Sequence, residues 1–155
     1  MGLLGKPADD ADVLTFLADY EIVGKPKLKR GEPDASLKNA KRGIEVGVRR
    51  ASALDVKIPA LPPTTLVFWT VRMYGPTHAS FTAFGEDLPL GVRFDFGRAE
   101  LEAHFGKKPG AENADLGMAR WDFAEYCVFG RFVDGGKDGG LRSLSIQLPV
   151  VAVSP

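Results

Sequence analysis

The sequence predicts an α+β fold: two tandem units, each a helix followed by an antiparallel three- or four-stranded sheet, forming one compact layered domain. Three observations predict it. Two stretches with helical spacing, one near the start and one after residue 96, each precede segments of two-residue alternation. Each half closes on a strand ending in "LP", within "ASFTAFGEDLP" and "LRSLSIQLP". The chain has 155 residues, 45% hydrophobic and 26% charged, enough for two small units, 1–87 and 88–155, that share one core.

In the first unit, Asp9 and Asp10 are placed to cap a helix reaching Tyr20. Val13, Leu14, Phe16, Leu17 and Tyr20 recur at helical spacing and make its apolar face, and Gly24 and Pro26 end it. Residues 25–42, "KPKLKRGEPDASLKNAKR", are polar and broken by Pro33, which predicts a loop. "GIEVGVRR" (43–50) alternates Ile44, Val46 and Val48 against Glu45, Gly47 and Arg49, the pattern of a half-buried strand. "IPALPPTT" (58–65) is a proline-rich connection. "LVFWTVRMY" (66–74) is the strongest strand pattern. Leu66, Phe68, Thr70, Arg72 and Tyr74 are expected on one face and Val67, Trp69, Val71 and Met73 on the other, both largely apolar, which places the strand centrally. "GPTH" turns the chain, and "ASFTAF" (79–84) is expected to return as a paired strand.

The second unit repeats the order. Gly97 to Phe105 predicts a short helix with Leu101 and Phe105 on one side, stopped by Gly106 and Pro109. "MARWDFAEY" (118–126), "CVFGRFV" (127–133) and "RSLSIQLPV" (142–150) read as strands, the last alternating Leu144, Ile146 and Leu148 with Ser143, Ser145 and Gln147. "DGGKDGG" (134–140) reads as a hairpin loop. No Lys-Ser/Thr and no helix follow it, so it is not a phosphate cradle. Two such units side by side predict a continuous sheet with both helices on one face.

Several function classes are disfavoured. Formal net charge is zero, so no global field favours nucleic acid or an anionic membrane. Residues 21–57 carry ten Lys or Arg against five Asp or Glu, but Lys25 to Arg50 contains no aromatic residue, unlike single-strand readers, which interleave the two. No run approaches the roughly 20 apolar residues of a membrane span. The opening "MGLLGKPADDAD" has no apolar run after a basic start, so no secretory signal and a cytoplasmic location are expected. The single cysteine, Cys127, forms no internal disulfide, and no carboxylate cluster has a ligand spacing, so no metal and no cofactor are expected. His78, His104 and Cys127 are the residues from which a nucleophilic pair would have to be built.

The aromatic residues concentrate on the expected strands. A sheet face rich in Trp, Tyr and Arg suits protein binding, since those types dominate interface hot spots. Arg72, Tyr74, Trp121, Phe123, Tyr126 and Arg131 are the candidate partner-binding residues. Trp121 and Phe123 are expected on one face and Asp122 and Tyr126 on the other, with the face of Arg72 and Tyr74 open.

Residues 88–148, with "LPLGVRFDFGRAELEAHFGKKPG", "RWDFAEYCVFGRFV" and "LRSLSIQL", resemble the small β-barrel-assembly lipoprotein domain, in which a helix closed by Gly-x-Pro precedes a Trp-bearing strand and a hairpin. A tandem pair resembles the beta-lactamase inhibitory proteins, whose duplicated units form a concave surface that clamps an enzyme. The chain shows neither their secretory signal nor their disulfides, so that resemblance implies architecture and not target. The whole chain resembles small bacterial immunity proteins, on its "LLGKP…VLTFLADY" opening, its "LPLGVRF…LEAHFGKKP" middle and the missing catalytic set. That resemblance implies a non-enzymatic protein that sterically neutralises a cognate toxin encoded by an adjacent gene. Two alternatives stand beside it: a small-ligand protein or enzyme with a pocket between the halves, using His104 or Cys127, and a structural subunit of a secretion or envelope assembly.

Overall fold

The computed structural model describes residues 2–54, 61–76, 78–133 and 140–149. Its strands are β1 (Asp34–Asn39), β2 (Ile44–Arg50), β3 (Leu66–Tyr74), β4 (Ala111–Asn113), β5 (Met118–Asp122), β6 (Cys127–Phe132) and β7 (Leu141–Gln147), with helices α1 (Ala11–Asp19) and α2 (Arg98–Phe105). The fold is α+β, and the seven strands form one antiparallel sheet in the order β1-β2-β3-β7-β6-β5-β4. Two meanders meet where β3 pairs with β7, Arg72 opposite Ser145. One sheet therefore draws strands from both 1–87 and 88–155 and is larger than a three- or four-stranded unit.

Register explains why the strands stack their apolar side chains. Leu37, Val46, Val71, Ile146, Val128 and Trp121 lie in one cross-strand row, and Ile44, Met73, Leu144, Gly130 and Ala119 in the next. Apart from Gly130 these residues form a single core with Val13 of α1 and Leu101 of α2, Leu37 packing at its edge. Full burial of each large member contributes roughly 1.5–3 kcal/mol, so a row drawn from both meanders couples their folding. Gly130 leaves the space in which α2 seats: a Cβ there would meet Leu101 Cδ1 at 3.3 Å. On α1, Phe16 meets Phe68 edge-on at 5.7 Å between centroids.

The helices end by identifiable means. Asp10 caps α1 by accepting from the Asp12 amide. At the other end the Ile22 amide donates to Leu17 O and the Glu21 amide to Ala18 O, a Schellman closure. Glu21, at φ 53, takes the left-handed position, so α1 stops before Gly24. Gly106 does the same for α2 at φ 68.

Several sequence expectations are corrected. Within the expected loop 25–42 lies β1. It is an edge strand with one core-facing apolar residue, Leu37, so it carries no alternating signal. Residues 79–84 form no strand. Thr82 and Phe84 donate single backbone bonds to Ala40 O and Tyr74 O, while the edges of β3 are taken by β2 and β7. The alternation there comes from Phe81, stacked on Tyr74 at 3.7 Å, and Phe84, near Tyr20 at 5.8 Å. β5 ends at Asp122, and Phe123 and Tyr126 close a turn into β6. β4 is an additional strand. Leu14, off the stripe formed by Val13, Phe16, Leu17 and Tyr20, is 52% exposed.

The largest correction concerns β3. A bulge between Gly47 and Val48 sets Thr70 opposite Gly47 but Phe68 opposite Val48, so Trp69 is the extra residue. Its effect is to reverse the expected faces before Thr70. Phe68 joins the helix-covered core, whereas Val67 lies with Leu54 and Leu148 in a small second cluster packed against Trp69. The end of β3 left free by β7 is occupied by the chain start, with Gly5 and Ala8 donating to Phe68 O and Leu66 O. Most of the proline-rich connection lies in described residues 61–65; its first part, and 134–139 of the expected hairpin loop, lie outside the described residues.

Candidate binding face

The sheet face away from the helices carries the candidate site. Its middle row runs Lys38, Glu45, Arg72, Ser145, Phe129 and Arg120. On one side of it stand Tyr74, Ser143, Arg131 and Met118, and on the other Gly47, Thr70, Gln147, Cys127 and Asp122. Ser143, Ser145 and Gln147 are 6%, 4% and 8% exposed. These polar side chains of the central strand are overshadowed by the longer side chains flanking them. The result is a groove of about 310 Å³ with a polar floor on β7 and with Arg72, Tyr74, Phe129 and Arg131 along its sides. His78 stands at its rim, edge-on to Tyr74 at 4.6 Å.

The two arginines differ. Arg72 Nε donates to Ser145 Oγ at 2.8 Å, and its Nη1 lies 3.6 Å from Glu45 Oε1. Tyr74 Oη also donates to Glu45 Oε1, at 3.2 Å. Burial pushes the Tyr74 phenol above its ordinary pKa; Arg72 opposes this, and the charge of Glu45 adds to it. Arg131 is exposed and has no ion pair among the described residues.

A second hollow, about 420 Å³, lies beside the first and shares Arg72. Gly47 opens it between Trp69 and Thr70, and Lys27 and Lys29 stand at its edge. The Arg49 guanidinium covers the Trp69 ring at 4.4 Å and is held by Asp34 Oδ2 at 2.9 Å. Among the basic residues of 21–57, Arg49 pairs with Asp34 and Arg42 with Glu21 inside the segment, and Arg42 also lies near Glu86 outside it.

Of the six expected site residues, Arg72, Tyr74 and Arg131 meet at the groove. Trp121 does not belong to the surface. It is 0% exposed, on the helix-covered face, and its indole donates to Lys107 O at 3.1 Å. Phe123 and Tyr126 sit together at the β5–β6 turn, rings stacked at 5.1 Å, instead of on opposite faces. Lys107 covers Phe123 at 4.1 Å, and Phe105 packs against it. The sequence reading passed over Trp69, Phe129 and the Ser143-Ser145-Gln147 floor. Gly47 inside a strand was the available signal for a bulge and a local opening.

A nucleophilic pair is not assembled. Cys127 Sγ donates to Asp122 Oδ1 at 3.1 Å, and burial, reinforced by Asp122, pushes its thiol up to about 11. His104 Nε2 is 2.7 Å from Leu90 O, at the end of α2 on the other face. Among the described residues no cluster of three or more His, Cys, Asp or Glu is placed to hold a metal ion. Among them, too, no helix is long and apolar enough to cross a membrane. Comparison of the chain with protein-family models, with curated proteins and with solved structures finds no match.

Proposed function

We propose that the chain is an immunity protein that binds a cognate bacterial toxin in the cytoplasm and blocks it sterically. The observation that carries this reading is the groove flanked by Arg72, Tyr74 and Arg131 on the uncovered face of the sheet. Arginine and tyrosine are hot-spot residue types; Arg72 is held by Ser145 and Tyr74 is buried, so these two need little ordering on association. A face of seven strands offers the area of a standard interface, roughly 1,200–2,000 Å² in total. The protonated thiol and the separated histidines give an enzymatic reading no comparable support.

The test is co-expression with the product of the adjacent gene, scoring growth rescue and co-purification. Rescue together with a stoichiometric complex is the expected result, and both should fail for Arg72→Glu/Arg131→Glu with an unchanged circular dichroism spectrum. No rescue and no complex would overturn the reading. Stable association with envelope or secretion machinery instead would favour a structural subunit.

A further inference from the structure

Building on the toxin-binding reading, we propose that the groove receives a carboxylate-bearing loop of the partner protein, clamped between Arg131 and Arg72. Among the described residues two arginines line the groove and no aspartate or glutamate does; Glu45 pairs with Arg72 from the side away from β7, and Arg131 has no such partner among them. Arg131 stands opposite Ser143, and Arg72 opposite Ser145, on the two strands that flank β7. Two strand spacings across β7 and two residues along it therefore separate their backbones by about 12 Å. Arginine side chains reaching in from the two flanking strands can present their heads to a single carboxylate. Arg72 is already aimed by its bond to Ser145, and a pre-aimed guanidinium loses little freedom on binding. Arg131 is exposed and lacks an ion-pair partner among the described residues, so it has donors to give. The Phe129 ring accepts the methylene part of an incoming Asp or Glu side chain.

A protein loop suits the groove better than a nucleic acid strand. Single-strand readers stack successive bases on several aromatic rings; here Phe81 covers one face of the Tyr74 ring at 3.7 Å, which leaves the groove little beyond Phe129 for stacking. Glu45, 3.6 Å behind Arg72, tolerates one carboxylate but repels a run of phosphates. The Lys27–Lys29 edge, in contrast, belongs to the neighbouring hollow.

The test titrates the ¹⁵N-labelled full chain with an acetylated, amidated hexaglutamate peptide, with hexaglutamine and with oligothymidylate, and scores toxin rescue separately. Hexaglutamate is expected to shift the amides of Arg72, Arg131, Ser143 and Ser145, and hexaglutamine to leave them in place. Arg131→Gln should weaken the hexaglutamate shifts about tenfold, as should raising the salt to about 0.3 M. Absence of groove shifts, equal shifts with hexaglutamine, shifts confined to residues 25–41, or tighter groove binding by oligothymidylate would each overturn the proposal. Full rescue by Arg131→Gln would overturn it and leave the toxin reading standing. Hexaglutamate in the groove without any toxin rescue would support it and sink that reading instead.

Discussion

Arg72 Nε donates to Ser145 Oγ at 2.8 Å, and the same two residues are backbone partners across the β3–β7 seam. One pair thus joins the two meanders and fixes one side of the groove. Ser145→Ala is expected to cost about 1 kcal/mol in urea unfolding, because water reaches the half-exposed guanidinium and replaces the hydroxyl. The Arg72 Nε–H should then exchange with solvent markedly faster. An unchanged exchange rate would show that the bond does not hold the side chain.

Gly47 sits at the bulge, opposite Thr70 on β3. A Cβ at this position would fall inside contact distance of Thr70 Cγ2 and lie 2.8 Å from Trp69 Nε1. Gly47→Ala should therefore cost about 1–3 kcal/mol through overpacking. Adding Thr70→Ser, which deletes the clashing methyl, should recover part of that loss in a double-mutant cycle. A Gly47→Ala protein as stable as the wild type would remove the steric account of the hollow.

The legibility of the sequence followed from what each strand faces. β2 and β7 are covered by helices on one side and polar on the other, so their alternation was plain. β1 needs one apolar anchor, Leu37, and an edge made of Asp34, Ser36 and Lys38 reads as loop. Residues 79–84 show the converse: Phe81 and Phe84 alternate because each finds an aromatic partner, with no strand ladder behind them. The bulge at Gly47 carried a signal, yet a two-residue period extrapolated through it assigned Trp69 and Phe68 to the wrong faces. For the site, Arg72 was readable because a charged residue on a central strand must point away from the core, and Tyr74 followed from the two-residue period beyond it. Trp121 was not, since an indole whose N–H finds a backbone carbonyl is as well placed inside as out.

The two tryptophans should therefore report different environments. Trp121 is fully buried beneath α2, while Trp69 is half-buried on the open face under Arg49. A Trp69→Phe protein, left with Trp121, should emit at shorter wavelength and resist acrylamide quenching. A Trp121→Phe protein should be readily quenched and lose about 1.5–3 kcal/mol, from lost volume and from the unpaired Lys107 carbonyl. Its affinity for a partner should be unchanged at temperatures where it remains folded. Equal quenching of both variants would contradict the burial difference.

Cys127 makes a prediction in which the sign is fixed by its surroundings. Burial, with Asp122 as hydrogen-bond acceptor and neighbouring charge, holds the thiol up to about 11, whereas an unfolded cysteine titrates near 8.5. The folded chain therefore keeps a proton that the unfolded chain releases between these values. Its stabilising contribution is complete below about pH 8.5 and is lost as the pH rises through 11. Lysines and tyrosines titrate in the same range, so the comparison must be with Cys127→Ala, which shares all of them. The stability difference between wild type and variant should be flat from pH 6 to about 8 and then shift steadily against the wild type up to pH 11. Native Cys127 should also react slowly with iodoacetamide at about pH 8, because the thiol and not the thiolate predominates there. Parallel stability curves across the alkaline range, or prompt alkylation of the native protein, would mean that Asp122 does not hold a protonated Cys127.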